Sequence, residues 1–288
     1  MDTSELIKKV RRIEIKTKGL SNQVFAGSYH SSFKGHGVSF SEVREYSYGD
    51  DVRHIDWNVT ARSGSPYIKV YDEERELTVM LLIDVSQSMN FGIKSVVKKE
   101  IAAEIAAIIS FSAINNNDKV GAIFFSDTIE CYLPPKKGKK NILRIIREII
   151  NIEPANKGSN LGEALKYFTN VQKKRSITFV LSDFMSPDFE LPLSLAAQKH
   201  DIIGINLYDP SEHDIPDMGI VHLYDAENHR TLYIDTSDEN MVKSYKQKRA
   251  HLKEAMERMF VKLNSDCIHV DVSRDYIKSL IGFFKKRK

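Results

Sequence analysis

The sequence predicts an α/β protein: a doubly wound, mostly parallel sheet with helices on both faces, preceded by an irregular, partly β N-terminal segment. Three observations predict it. Short runs of β-branched and large aliphatic residues have the length and continuity of strands buried on both faces. They alternate with longer stretches whose apolar residues recur at spacings of three and four, the period of a helix with one buried face. This alternation starts only near residue 77, and the stretch before it keeps neither period. Strands alternating with helices form βαβ units, whose crossovers place helices on both sides of a parallel sheet.

In chain order, Leu77-Thr78-Val79-Met80-Leu81-Leu82-Ile83 reads as the first buried strand. Residues 94–115 read as a helix, because Val97, Ile101, Ile105, Ile108 and Ile109 share a face and Asn115-Asn116-Asn117-Asp118 supplies a stop. Residues 120–126 follow as a strand, 141–150 and 161–171 as helices, and 177–181 as a second fully buried strand. Residues 191–199 then read as a helix, 202–207 as a strand, 241–263 as a long helix, 267–272 as a strand and 276–284 as a last helix. Between 223 and 234, two short apolar runs around Asp225-Ala226-Glu227-Asn228-His229 predict a hairpin at an edge of the sheet. No repeat of fixed period occurs. The expected division is an N-terminal segment, 1–75, packed on a main domain, 76–288.

Composition narrows the function. At 288 residues with 42% hydrophobic and 28% charged residues, the chain can bury a large core, and disorder throughout is excluded. Its 42 basic and 39 acidic residues nearly cancel, so no global field argues for nucleic acid or an anionic membrane. The two cysteines, Cys131 and Cys267, lack the spacing of a disulfide framework or a zinc ligand set. No signal peptide is apparent, and the most apolar stretch, 101–114, is interrupted by Glu104 and shorter than the roughly 18 residues a spanning helix needs. A cytoplasmic protein without direct membrane insertion is expected, with any membrane association made through partners. The basic opening, 6–18, reads as a solvated helix face or a basic arm, and the Gly/Ser/His-rich stretch 27–37 as a long loop.

Doubly wound sheets bind ligands beyond the carboxyl ends of their strands. After the first strand comes Asp84-Val85-Ser86-Gln87-Ser88, which gathers one carboxylate and two hydroxyls at alternate positions. Hard oxygen donors of this kind suit Mg²⁺. One carboxylate holds a divalent ion poorly, so neighbouring loops have to contribute. Ser159, at a helix start, and Asp183, at the end of the strand 177–181, stand in the right places. The candidate metal site is therefore Asp84, Ser86, Ser88, Ser159 and Asp183, with one position left for an outside ligand. Taken singly, the serines read as helix caps and the aspartates as polar strand ends.

This D-x-S-x-S motif, with a later hydroxyl and a later Asp, resembles the metal-ion-dependent adhesion site of von Willebrand factor A domains. Ser159 stands where Thr is commoner, and Phe184 follows Asp183 where Gly is commoner, which leaves Asp183 the less certain ligand with Asp188 close by. Upstream, the block from Phe40 to Arg62, including Arg44, Asp50, Asp51, Arg53, Asp56 and Trp57, resembles the signature of domain-of-unknown-function family 58. In that family the block precedes a von Willebrand A-like domain. Read physically, it holds a Gly-Asp-Asp turn and a strand-like Ile-Asp-Trp piece. Arginines Arg44, Arg53 and Arg62 are placed to pair with Glu42, Asp50, Asp51 and Asp56 and fasten the segment to the domain. Trp57 reads as a packing anchor.

The resemblance implies a non-enzymatic, metal-dependent protein-binding adaptor. Mg²⁺, Mn²⁺ or Ca²⁺ would accept an Asp or Glu from a partner, and the adaptor would work with a MoxR-type AAA+ ATPase in assembling or activating a protein complex. No P-loop, nucleophile elbow or H-E-x-x-H string occurs. A Mg²⁺-dependent phosphohydrolase and a basic-arm nucleic-acid binder stand as the alternatives, and a metal-free scaffold is the form that the Phe184 departure allows.

Overall fold

A computed structural model describes residues 8, 11, 13, 17, 39–72, 77–91, 97–155, 158–212, 218–225 and 230–287. The N-terminal part holds β1 (Ser39–Glu45), α1 (Trp57–Ser63) and β2 (Tyr67–Asp72). The α/β part follows as β3 (Thr78–Asp84), α2 (Lys98–Asn115), β4 (Lys119–Phe125), β5 (Ile129–Lys136), α3 (Lys139–Asn151), α4 (Leu161–Val171), β6 (Ile177–Ser182), α5 (Glu190–Lys199) and β7 (Asp201–Tyr208). It continues through β8 (Ile220–Asp225), β9 (Arg230–Asp235), α6 (Glu239–Lys262) and β10 (Asp266–Asp271) to α7 (Ile277–Lys286).

Six strands form the main sheet in the order β10-β7-β6-β3-β4-β5, all parallel except β5, which runs antiparallel to β4. From β3 the chain first builds outward through β4 and β5, then returns to build the other side through β6, β7 and β10. The boundary between β3 and β6 is therefore the topological switch point, where the crevice of such a sheet opens.

Alternation along β3 assigns its two faces. Val79, Leu81 and Ile83 join a core with Ile105, Ile108, Ile145, Ile149, Leu280 and Phe284 of α2, α3 and α7. Met80 and Leu82 join the opposite core, with Leu165, Phe168, Leu193, Met256 and Phe260 of α4, α5 and α6. Both faces of the strand are sealed, which is why its sequence is unbroken apolar rather than alternating.

Several expectations are corrected. The sequence reading missed β5: Pro134 and Pro135 argue against a central strand, and as an edge strand it tolerates them. The hairpin at 223–234 is not an edge of the main sheet, because β8 and β9 pair only as a separate two-stranded ribbon. α2 starts at Lys98, with Val97 as its cap; residues 94–96 lie outside the described set, as does the loop 27–37. Of the basic opening, Lys8 and Arg11 are exposed and helical, while Ile13 and Thr17 are buried on the same stretch. That is the pattern of a solvated helix face.

In the signature block, Ile55 bridges to Ile68, but the strand-like reading stops there. Asp56 caps α1 by accepting hydrogen bonds from the amides of Asn58 and Val59, so Trp57 begins a helix. Trp57 is 70% exposed, so among the described residues it is not a buried packing anchor. Arg44 forms a two-pronged pair with Asp50 at 2.8 and 2.9 Å, and Arg53 pairs with Asp51 at 2.6 Å. These pairs brace the turn on itself, over six and two residues, instead of fastening it to the sheet. Arg62 lies exposed in α1.

Candidate metal centre at the switch point

Asp84 is the last residue of the central strand β3 and is 1% exposed. One carboxylate oxygen, Oδ1, accepts the amide of Ser86 at 2.9 Å, which turns the chain sharply after the strand. The other, Oδ2, accepts the hydroxyl of Ser159 at 2.8 Å and that of Ser182 at 2.7 Å. The Ser86 and Ser88 hydroxyls lie 3.1 Å apart. The turn after β3, the loop before α4 and the end of β6 thus meet at one carboxylate.

Their reading as helix caps fails. Ser86 precedes a short 3₁₀ turn, Gln87–Asn90, but makes no side-chain cap bond. Asn160, not Ser159, caps α4, accepting the Glu163 amide at 3.0 Å. The loop holding Ser159 is fixed from both sides. The Asn160 amide donates to the Ser126 carbonyl at the end of β4, and the Leu161 amide donates to the Ser186 hydroxyl beyond β6.

Asp183 is also buried, but its oxygens are engaged differently. Oδ1 accepts the Met185 amide at 3.2 Å, and Oδ2 accepts the ammonium of Lys98 at 3.2 Å. Lys98 is wholly buried; its Nζ also pairs with Glu212 and lies 5.9 Å from the ring centre of Phe91. A cation at the first position of a helix opposes the helix dipole, so this ammonium is held by its two carboxylates. Phe184, where the resembled site has glycine, adopts φ 55° and buries its ring 5.5 Å from that of Phe260. The left-handed backbone that a glycine would supply is present, adopted here by a side chain that pays for it with packing. Asp188 also sits at positive φ and is exposed.

Burial, and next to it the charge of Asp183, pushes the Asp84 carboxyl up to about 6. Such a group is stabilised in its charged form by a nearby cation. Asp84, Ser86, Ser88 and Ser159 form an all-oxygen cluster, and hydroxyls that donate to a carboxylate retain lone pairs. This donor chemistry fits a hard divalent ion. Asp183, Glu212 and Asp84 carry three negative charges against the one of Lys98, leaving two to balance. Among the described residues no group of three or more His, Cys, Asp and Glu side chains is arranged to hold a metal, so any ion here depends on serine oxygens.

The sequence reading missed Ser182, Lys98 and Glu212. Ser182 was detectable as the residue before Asp183, at the end of a buried strand; the other two carry no local signal.

A family model described as "Protein of unknown function DUF58" matches residues 42–255. Uncharacterized proteins of Mycobacterium bovis and Mycobacterium tuberculosis are each 30% identical over 231 residues, covering 79% of this chain and 73% of theirs. Among solved structures, the conserved hypothetical protein BatB from Bacteroides thetaiotaomicron is 18% identical, with 73% of this chain and 98% of that one covered and a TM-score of 0.49. An aerotolerance-related membrane protein from Bacteroides fragilis is 16% identical, with 73% and 99% covered and a TM-score of 0.47. The SpRpn10 VWA domain is 15% identical over 47% of this chain and 77% of that one, with a TM-score of 0.36. These structural likenesses are distant, and no function follows from them. Among the described residues, no helix is long and apolar enough to cross a membrane.

Proposed function

The chain belongs to the DUF58 family, and within it we propose that this member is a protein-docking adaptor whose switch-point oxygens hold a divalent cation for a partner's carboxylate. The single observation that carries the reading is the convergence of Ser159, from the loop before α4, and Ser182, the last residue of β6, on the buried Asp84 at 2.8 and 2.7 Å. Ordinary capping does not explain that convergence. Asp84, Ser86, Ser88 and Ser159 would hold Mg²⁺, or Mn²⁺ or Ca²⁺ in its place, and the ion would supply positive charge at a position open to an outside Asp or Glu. Asp183 would act from behind, oriented by Lys98. Binding, and not bond cleavage, suits a carboxylate whose two oxygens already accept three hydrogen bonds.

The resemblance drawn from residues 40–62 extends the proposal to the partner. A MoxR-type AAA+ ATPase is the companion it implies, with assembly or activation of a further protein complex as the outcome.

Water-proton relaxation with Mn²⁺ tests the open coordination position. Mn²⁺ mixed with the wild-type chain should relax water faster than free Mn²⁺, and glutarate should reverse the enhancement by displacing bound water. Ser86→Ala should show neither effect. Relaxation equal in wild type and variant would remove the proposal. Turnover of a generic phosphoester with Mg²⁺ present, abolished in the same variant, would replace it with the hydrolase reading.

A further inference from the structure

The chain's charges nearly cancel overall, with 42 basic and 39 acidic residues, but the fold does not spread them evenly. Asp84 and the serine oxygens lie at the carboxyl ends of the parallel strands. The opposite end of the sheet, where β4, β6, β7 and β10 begin and β5 finishes, is fixed by the register: Thr78 pairs with Lys119, Val120 with Lys136, and Ile177 with Asp201. Basic side chains collect on the loops at that end.

Lys136 closes β5, Lys137 follows it, and Lys139 and Lys140 open α3. Lys173, Lys174 and Arg175 form the turn into β6, and Lys199 stands just before β7. Lys285 and Lys286 end α7, and the next residue, Arg287, pairs with Asp201 and Asp266 at the starts of β7 and β10. All of these except Arg287 are exposed. Lys136, Lys140, Lys173, Lys174 and Lys199 make no ion pair among the described residues. Of the acids at this end, Asp118 is buried and accepts the Leu77 amide, and Asp201 and Asp266 are taken up by Arg287. The segment 73–76, outside the described residues, adds Glu73, Glu74 and Glu76 against Arg75, which still leaves this end strongly basic.

Helix electrostatics account for part of this charge only. Lys199, Lys285 and Lys286 lie in last turns, where a cation suits the helix dipole. Lys139 and Lys140 do the reverse. They occupy the first turn of α3, which holds no acidic residue and has no side-chain cap, and a cation there opposes the dipole. Like charges gathered at one end also repel one another, which weakens the folded state. An outside polyanion would relieve both costs.

The form of the cluster selects the anion. It runs across the sheet from β5 to β10, and six strands at their usual spacing make it about 24 Å wide. Its charges are mostly lysines, point charges without the planar fork with which arginine reads phosphates and bases. Among the described residues, these loops expose no large hydrophobic side chain, so they offer nothing on which bases could stack. A broad lysine face of this kind fits the headgroup plane of an anionic bilayer, where each lysine near the surface adds attraction. We propose that this pole of the sheet adsorbs directly to anionic lipid, with no residue entering the hydrocarbon. β3 spans about 20 Å, so the candidate metal centre at its other end faces away from the lipid, toward soluble partners. The proposal stands whether or not that centre holds a metal.

Sedimentation with sucrose-loaded vesicles, on the whole chain in chelator, tests this. Vesicles of phosphatidylcholine with about one-third phosphatidylserine should bind the wild type, pure phosphatidylcholine vesicles should not, and about 0.5 M salt should release the chain. The combined variant Lys136→Glu, Lys140→Glu, Lys173→Glu should weaken binding about a hundredfold or more. The matched variant Lys243→Glu, Lys248→Glu, Lys278→Glu makes the same charge change at exposed positions of α6 and α7, and it should weaken binding by less than about tenfold. Both variants should keep the wild-type thermal midpoint. No binding to the phosphatidylserine vesicles, or equal loss in the two variants, would overturn the proposal. So would a DNA duplex that stays bound in the salt that strips the chain from vesicles, which would assign the pole to nucleic acid.

Discussion

Lys98 and Asp183, 85 positions apart, form an ion pair with both side chains almost wholly removed from solvent, Nζ to Oδ2 at 3.2 Å. Glu212 completes it. Removing one member of such a group leaves the others charged and unpaired in low dielectric. Lys98→Met is therefore expected to cost about 3–5 kcal/mol of stability, read from urea unfolding in chelator. Mg²⁺ should raise the melting temperature of this variant more than that of the wild type, since the ion replaces lost positive charge. A loss below about 1 kcal/mol would show that the pair is not formed in solution.

His200 and Asp84 make opposite contributions to acid stability. Burial pulls the His200 imidazole down to about 4; its ring lies against Phe168, and Nδ1 meets the Ser176 hydroxyl at 3.0 Å. Its stabilising contribution is present above the ordinary value of 6.5 and is lost as pH falls toward 4. Asp84, raised from 3.8 to about 6, contributes stability below 3.8 that is lost as pH rises through 6. His269 is also held below its ordinary value by burial, so chemical denaturation in chelator of the double variant His200→Gln, His269→Gln should show stability falling from pH 4 to 6. Stability unchanged over that window would contradict the buried state of Asp84.

Gly204 in β7 has no room for a methyl group. A Cβ there would stand 2.6 Å from Phe260 Cζ and 3.1 Å from Phe184 Cζ, within the aromatic cluster under the Asp183 loop. Gly204→Ala is expected to destabilise by about 1–3 kcal/mol through overpacking. Pairing it with Phe260→Leu should recover part of the loss if the clash is its source.

Trp57 is the only tryptophan in the chain, and at 70% exposure it should emit at the long wavelength of hydrated indole and be quenched readily by acrylamide. A blue-shifted, protected emission in the isolated chain would mean that the signature segment buries it against something the fold does not show.

What the sequence disclosed, and what it hid, follows from how local each signal is. Leu77 to Ile83 is unbroken apolar because β3 is sealed on both faces, so the strand and the parallel sheet could be read directly. Asp84, Ser86 and Ser88 lie within five positions, and their grouping survives projection onto one dimension. Lys98 does not: at the start of a helix a lysine reads as solvated, and only the return of β6 beside β3 brings Asp183 against it. β5 was hidden by Pro134 and Pro135, which an edge accepts. Trp57 looked like an anchor because size alone suggests burial, whereas the Asp56 cap starts a helix that leaves the indole outside.

The most direct test of the central claim is calorimetric titration of Mg²⁺ into chelator-stripped chain, beside Asp84→Asn, which keeps the side chain's size and removes its charge. One site binding Mg²⁺ in the wild type and none in the variant is the predicted result. Absence of binding in the wild type, or equal binding in both, would contradict it.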